Sequence, residues 1–116
     1  MTRALTLAFG MTLLAALIIA TGTLSPPGQG GMPLLFTDKQ LHFIAFALLA
    51  LPLGWARPAW AFLLVPVALS YGAMIEMIQP AIGRSAELGD LVADALGIAF
   101  GVLPGKLRHR IKQSGR

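Results

Sequence analysis

The side chains that could do chemistry fall near the ends of long apolar segments. His42 and Glu76 are candidate catalytic residues, since imidazole and carboxylate groups act as general acids and bases. Lys39 and Arg84 could hold a phosphate or a carboxylate. Charge buried in hydrocarbon is costly, so such residues usually face a bundle interior and mark function. The candidate binding residues, here called the polar set, are Asp38, Lys39, His42, Glu76, Gln79, Arg84, Asp90 and Asp94, with Glu87 beside them.

Together with Glu87, the polar set has a formal charge of −3, because the five acids outnumber the two bases by three. It allows a lipid or cell-envelope precursor headgroup site, an enzyme acting on a lipid-linked substrate, or a buried salt-bridge network that fixes helix register. A proton or ion pathway is disfavoured, because no ionisable residue is expected at mid-bilayer. His42, Glu76, Asp90 and Asp94 could hold Mg²⁺ or Ca²⁺. Their spacing matches no recognised metal signature, so no cofactor is firmly predicted.

The composition indicates a membrane protein of one domain. Of the 116 residues, 56% are hydrophobic and 12% are charged, against about 25% charged in soluble domains. The pI near 10.4 comes from charges just outside apolar segments, where they set topology, so nucleic-acid binding is disfavoured. The absence of cysteine excludes disulfides, thiolate metal sites and a cysteine nucleophile.

The apolar segments predict an all-α membrane protein, a compact bundle of four transmembrane helices. The first segment is also compatible with a cleaved signal peptide. An uncleaved anchor is favoured, because the segment is long enough to span a bilayer and no convincing Ala-x-Ala site follows it. The predicted spans cover about 4–24, 38–56, 59–79 and 87–104, followed by a basic tail over 105–116.

Local signals mark where these spans begin, bend and end. Thr37 and Gln40 predict a capping box at the start of the second span. The proline after Arg57 ends that span, and the proline after Gln79 ends the third. Pro66 is a candidate kink within the third span.

The basic residues predict the orientation. Seven of the nine Lys and Arg residues fall on one side of the spans, which places both termini in the cytoplasm by the positive-inside rule. The polar set then faces outward. The seven residues are Arg3, Arg57, Lys106, Arg108, Arg110, Lys112 and Arg116.

Helical periodicity predicts which residues share a face. His42, Glu76 and Asp94 fall at similar depth on three different spans. They are expected to converge with Arg84 and Asp90 beneath the outer surface, with Glu76 near Arg84 or His42. The first span carries only Arg3 as an ionisable residue and is interpreted as a support helix. A stripe of small residues suits close helix packing within the bundle, with a homo-oligomer as the less favoured alternative. The stripe comprises Gly97, Gly101 and Gly105.

In order and spacing, these residues resemble the VanZ-like family of small bacterial membrane proteins. The resemblance covers about 38–101 and implies a multi-pass protein of the bacterial inner membrane. The polar set matches the family pattern residue by residue, although that pattern often has asparagine where Asp94 stands. The motifs are Asp38-Lys39-x-x-His42-x-x-x-Phe46, Glu76-x-x-Gln79, Gly83-Arg84 and Asp90-x-x-x-Asp94-x-x-Gly97-x-x-x-Gly101.

Overall fold

The computed structural model describes residues 1–25 and 37–115, and within these ranges it contains helices and no strand. All four long helices are long and apolar enough to cross a membrane, which supports a multi-pass membrane protein. They are α1 (Arg3–Thr23), α2 (Asp38–Ala56), α3 (Ala61–Ile78) and α4 (Leu88–Ser114), with short 3₁₀ turns at Pro58–Trp60 and Gln79–Ile82.

The helices alternate in direction, and one end of the bundle gathers the acidic residues. Gln79, just after α3, donates from Nε2 to the carbonyl oxygen of Thr23 at the end of α1, 3.2 Å away. Lys39 in the first turn of α2 pairs with Glu87, which precedes α4. We call this region, occupied by Lys39, Glu76 and Glu87, the polar end.

The opposite end carries basic residues and aromatic rings. The Arg108 guanidinium lies over the Trp55 ring, 4.1 Å from its centroid, so α4 meets the end of α2 there. Leu5 near the start of α1 packs with Leu53 in the same region. We call this region, marked by Arg57 and Arg108, the basic end. Which face of a membrane it meets stays a prediction.

The predicted start and end of α2 are confirmed. Thr37 Oγ1 accepts from the backbone N–H of Gln40 at 3.2 Å, and Gln40 Oε1 accepts from the backbone N–H of Thr37 at 3.1 Å. This reciprocal capping box satisfies donors that the helix itself cannot satisfy. The helix ends at Ala56, before the Arg57-Pro58 break.

The end of α3 also follows the sequence signals, and the helix is continuous through Pro66. Pro80 falls in the 3₁₀ turn that follows α3. Gly83 ends this turn at φ 82°, in the left-handed region that glycine adopts without steric cost.

Helix α4 is longer than the predicted span over 87–104. It continues through Pro104 to Ser114, because lysine, arginine, leucine and glutamine are good helix formers. Lys112 in its last turn also interacts favourably with the helix dipole. At 1.5 Å per residue the helix is about 40 Å long, whereas the hydrocarbon core is about 30 Å thick. As far as Ser114, the basic tail is therefore a helical extension of α4.

The small-residue stripe of α4 packs against the backbone of α2. A Cβ at position 97 would collide with the carbonyl oxygen of Phe43, and one at position 105 with that of Gly54. A Cβ at Gly101 would lie 2.5 Å from the carbonyl oxygen of Ala47. The stripe thus serves packing within the chain, as the favoured interpretation expected. A homo-oligomer through the same residues stays a prediction.

Helix α1 lies at the side of this pair and presents an apolar surface outward. Thr12 donates from Oγ1 to the carbonyl oxygen of Leu49, 2.9 Å away. The hydroxyl of Tyr71 on α3 donates to the carbonyl oxygen of Ala16. These two hydrogen bonds join α1 to α2 and α3, as expected of a support helix.

Candidate functional site

A buried histidine–aspartate pair forms the inner part of the site. His42 Nδ1 lies 2.7 Å from Asp94 Oδ1, which joins α2 to α4. Asp94 is only 1% exposed, and His42 is also buried. One turn further along α2, the Phe46 ring is parallel to the imidazole, with 6.4 Å between ring centroids. The carboxylate and the aromatic ring together hold the imidazole in one orientation.

Asp90 connects this pair to the surface of the polar end. Its Oδ2 lies 3.7 Å from His42 Nε2, and its Oδ1 lies 3.7 Å from Lys39 Nζ. Lys39 Nζ also donates to Glu87 Oε2 at 2.8 Å. The Lys39 and Glu87 side chains are 55% and 52% exposed, whereas Asp90 is buried. Lys39 and Glu87 therefore form a rim over a buried acidic interior.

The ion pair in this rim changes the ionisation of Glu87, which precedes α4 and lies outside the membrane-spanning segments. The hydrogen bond from Lys39 lowers the pKa of the Glu87 carboxyl, and the positive charge of the same ammonium group lowers it further. Because both groups are about half exposed, water screens their attraction and the pair contributes little stability.

Glu76 brings α3 into the site. Its Oε2 accepts a hydrogen bond from the backbone N–H of Glu87 at 2.9 Å, so the carboxylate caps the beginning of α4. The side chain is 9% exposed. One ligand atom of Glu76 lies within 4.8 Å of one of His42, so the predicted placement of Glu76 near His42, rather than near Arg84, is the one observed.

Three helices thus converge on one small volume. His42, Glu76 and Asp94 each offer a ligand atom, and these three atoms lie within 4.8 Å of one another. The shared depth predicted for these residues is confirmed as a spatial cluster. We call His42, Glu76 and Asp94 the buried triad.

The interior also holds carboxylate and amide oxygens that accept no hydrogen bond from the described part of the chain. Buried polar atoms are almost always paired, so each such oxygen calls for an explanation. They are Glu76 Oε1, Gln79 Oε1, Asp90 Oδ1 and Asp94 Oδ2.

Other members of the polar set lie away from the triad. Arg84 donates from Nε to the carbonyl oxygen of Ser25 at 2.7 Å, and it forms no ion pair with an acid among the described residues. It follows the left-handed turn at Gly83, and its hydrogen bond ties that turn to the segment just after α1. Asp38 is exposed in the first turn of α2, where a negative charge favours the helix dipole.

Gly72 is a residue of the site that the sequence analysis did not select. It lies one turn before Glu76 on α3, and a Cβ there would be 2.6 Å from Asp94 Oδ2. The missing side chain lets α3 approach the Asp94 carboxylate. Its position in helical register with Glu76 was the available signal.

Comparisons with known proteins identify no relative. The chain matches no protein-family model, no curated protein and no solved structure. The resemblance to the VanZ-like family therefore rests on the order and spacing of the motifs alone.

Proposed function

We propose that the chain is a VanZ-like protein of the bacterial inner membrane whose polar end faces outward and binds a lipid or cell-envelope precursor headgroup. The observation that carries the proposal is the buried triad beneath a charged rim. Ionisable residues in a membrane segment are expensive and usually serve function. Here they lie together at one end of the spans, where a headgroup would meet hydrocarbon if these helices cross a bilayer.

The division between rim and interior suits a headgroup that carries both signs of charge. Lys39 is the exposed cation of the polar end and is suited to a phosphate or carboxylate. The carboxylates of Asp90 and Glu76 lie below it and are suited to an amine or a metal-bridged phosphate. Arg84 braces α1, so this proposal does not use it as the anion-binding group.

A purely structural network accounts less well for the same residues. A network that only fixes helix register gains stability when every buried atom has a partner. The free oxygens of Glu76, Asp90 and Asp94 fail that requirement within the described chain. They favour a site that accepts something from outside.

A membrane enzyme acting on a lipid-linked substrate is the second candidate. The 2.7 Å contact between His42 and Asp94 favours it, because a carboxylate that orients an imidazole is a common arrangement for general acid–base catalysis. His42 and Glu76 would then be the acid–base residues. In that case mass spectrometry should find the bound lipid altered by the natural protein and intact on His42→Gln.

Retention of lipid by Glu76→Gln tests the headgroup proposal. Glutamine keeps an oxygen that can accept from the N–H of Glu87, so the loss of stability should not exceed about 1 kcal/mol. The charge is removed, however. Native mass spectrometry of gently purified protein should show a retained lipid on the natural chain and little on the variant, with thermal unfolding measured beside it.

Glu87→Gln is the matched control, because Glu87 lies on the exposed rim rather than in the triad. It should keep the lipid. A Glu76→Gln protein that is stable and retains as much lipid as the natural chain would refute the headgroup role. One that fails to fold would favour a structural role for Glu76.

The orientation has a separate test. The chain lacks cysteine, so single-cysteine variants report one position each. In intact cells, an impermeant thiol reagent should label Ser85→Cys, which lies at the polar end, and should not label Ser114→Cys at the end of α4. The opposite pattern would place the polar end in the cytoplasm and reject the outward-facing site.

A further inference from the structure

We propose that the buried triad, His42, Glu76 and Asp94, binds one divalent ion of the first transition row, Mn²⁺ or Zn²⁺. The ion site would lie inside the proposed headgroup site but does not depend on it, because an ion can bind the triad whether or not a lipid is present. Three observations support it: the separation of the ligand atoms, the burial of unpaired oxygens, and the combination of donor types.

The separation of the ligand atoms suits a shared ion. One atom from each of the three residues lies within 4.8 Å of the other two. Such ions hold nitrogen and oxygen ligands at about 2.0–2.2 Å, so ligands on opposite sides of one ion lie about 4 Å apart. His42 would bind the ion through Nδ1, the ring nitrogen on the Asp94 side, and the ion would then replace the hydrogen bond between Nδ1 and Asp94 Oδ1. The ligands come from α2, α3 and α4, so an ion would tie three helices together.

Each carboxylate of the triad has one oxygen in a short polar contact and a second oxygen without a hydrogen-bond donor. Glu76 Oε2 accepts from the N–H of Glu87, and Asp94 Oδ1 lies 2.7 Å from His42 Nδ1. Glu76 Oε1 and Asp94 Oδ2 are buried without a hydrogen-bond donor in the described chain. The two side chains are 9% and 1% exposed. Neighbouring buried carboxylates repel one another, and a cation between them removes that cost.

The types of donor select the ion. Mg²⁺ and Ca²⁺ prefer sites made of oxygen ligands, as the sequence interpretation assumed. The imidazole of His42 adds a nitrogen donor, which favours ions that accept mixed nitrogen and oxygen ligands, such as Mn²⁺ and Zn²⁺. Asp90 lies outside the set, because its Oδ1 is 3.7 Å from the Lys39 ammonium and a second cation beside it would be repelled.

Manganese binding to the full chain in detergent, without added lipid, tests the site. Electron paramagnetic resonance of Mn²⁺ should show saturable binding of one ion per chain, and Zn²⁺ should displace it. Glu76→Gln and Asp94→Asn keep the side-chain shapes but remove a ligand charge. Each should weaken Mn²⁺ binding at least about 10-fold. Glu87→Gln, on the rim, should leave the affinity unchanged.

A measurement on the unsubstituted triad keeps the test valid if those variants do not fold. Pulsed resonance of bound Mn²⁺ should show coupling to a coordinated ¹⁴N nucleus. The chain has only two histidines, so His109→Gln is the control and should retain that coupling.

Three outcomes would overturn the proposal. They are no saturable Mn²⁺ binding by the folded natural chain, affinity unaffected in both triad variants, and a nitrogen coupling that disappears in His109→Gln. These outcomes are read from Mn²⁺ itself rather than from lipid retention, so a failed lipid test leaves the ion site standing.

Discussion

The interface between α2 and α4 has two halves built in different ways. Towards the basic end, Gly101 and Gly105 bring the backbone of α4 close to the carbonyl oxygens of Ala47 and Gly54 on α2, in a close packing that begins at Gly97. Towards the polar end, the same two helices meet through the side chains of His42 and Asp94, 2.7 Å apart. Close backbone packing joins the helices in one half, and charge and hydrogen bonding join them in the other.

The difference teaches how a small membrane protein can keep charged groups in fixed positions. In hydrocarbon, apolar side chains gain little by leaving lipid, so close backbone packing supplies much of the helix association. The glycine half sets the distance between α2 and α4. The same distance then applies in the polar half, where some carboxylate oxygens are left without a donor and are available to a ligand.

The largest effect is expected from breaking the glycine half. Gly101→Leu places a side chain where a Cβ alone would lie 2.5 Å from the carbonyl oxygen of Ala47, and backbone cannot move aside cheaply. The stability loss should be at least about 3 kcal/mol, as thermal unfolding in detergent would measure. Gly10→Leu is the control, because nothing lies within 4 Å of a Cβ at position 10. Equal stability of the two variants would contradict this division of the interface.

A smaller effect is expected where α3 meets the polar half. Gly72→Ala should push the buried carboxylate of Asp94 away and cost about 1–3 kcal/mol, with a folded protein and weaker Mn²⁺ binding. Gly89→Ala is closely matched, since a Cβ at either position would lie 2.6 Å from its nearest neighbour. At Gly89 that neighbour is the exposed Lys39 side chain, which can rotate away. Similar losses in both variants would show that Asp94 is not rigidly held.

The smallest effect is expected at the rim, and it should depend on pH. Since Lys39 lowers the folded-state pKa of Glu87, the pair stabilises the fold above the ordinary glutamate pKa of 4.5 and loses that contribution as pH falls through the lower folded value. Glu87→Gln should therefore melt slightly below the natural protein at pH 7. The difference between their melting temperatures should shrink in acid. A difference that grows in acid would have the wrong sign for this pair.

The helices were largely predictable because their signals are local. The capping box at Thr37 and the apolar segments need only neighbouring residues, and both are confirmed. The gathering of His42, Glu76 and Asp94 was also predictable, because helical periodicity and a common depth are enough to place them together. The helical extension of α4 was missed, since hydropathy marks the span but not the helix that continues beyond it.

The partners of individual side chains could not be predicted in the same way. Arg84 was expected near the acids but contacts Ser25, because the turn at Gly83 decides where that side chain can reach. The close approach of Gly72 to Asp94 likewise depends on how α3 packs against α4. Such contacts follow from three-dimensional packing, which one helix's sequence does not encode.

The pairing of α2 with α4 has a consequence for how the chain is made. These are the two least apolar of the four helices, and 52 positions separate His42 from Asp94. At about 5–20 residues per second, a ribosome needs roughly 3–10 s to bridge that interval. Throughout this time the nascent α2 carries a histidine whose acceptor does not yet exist. We therefore expect α2 to stay in a protected or watery environment during biogenesis until α4 is made, so that α4 completes the insertion of α2.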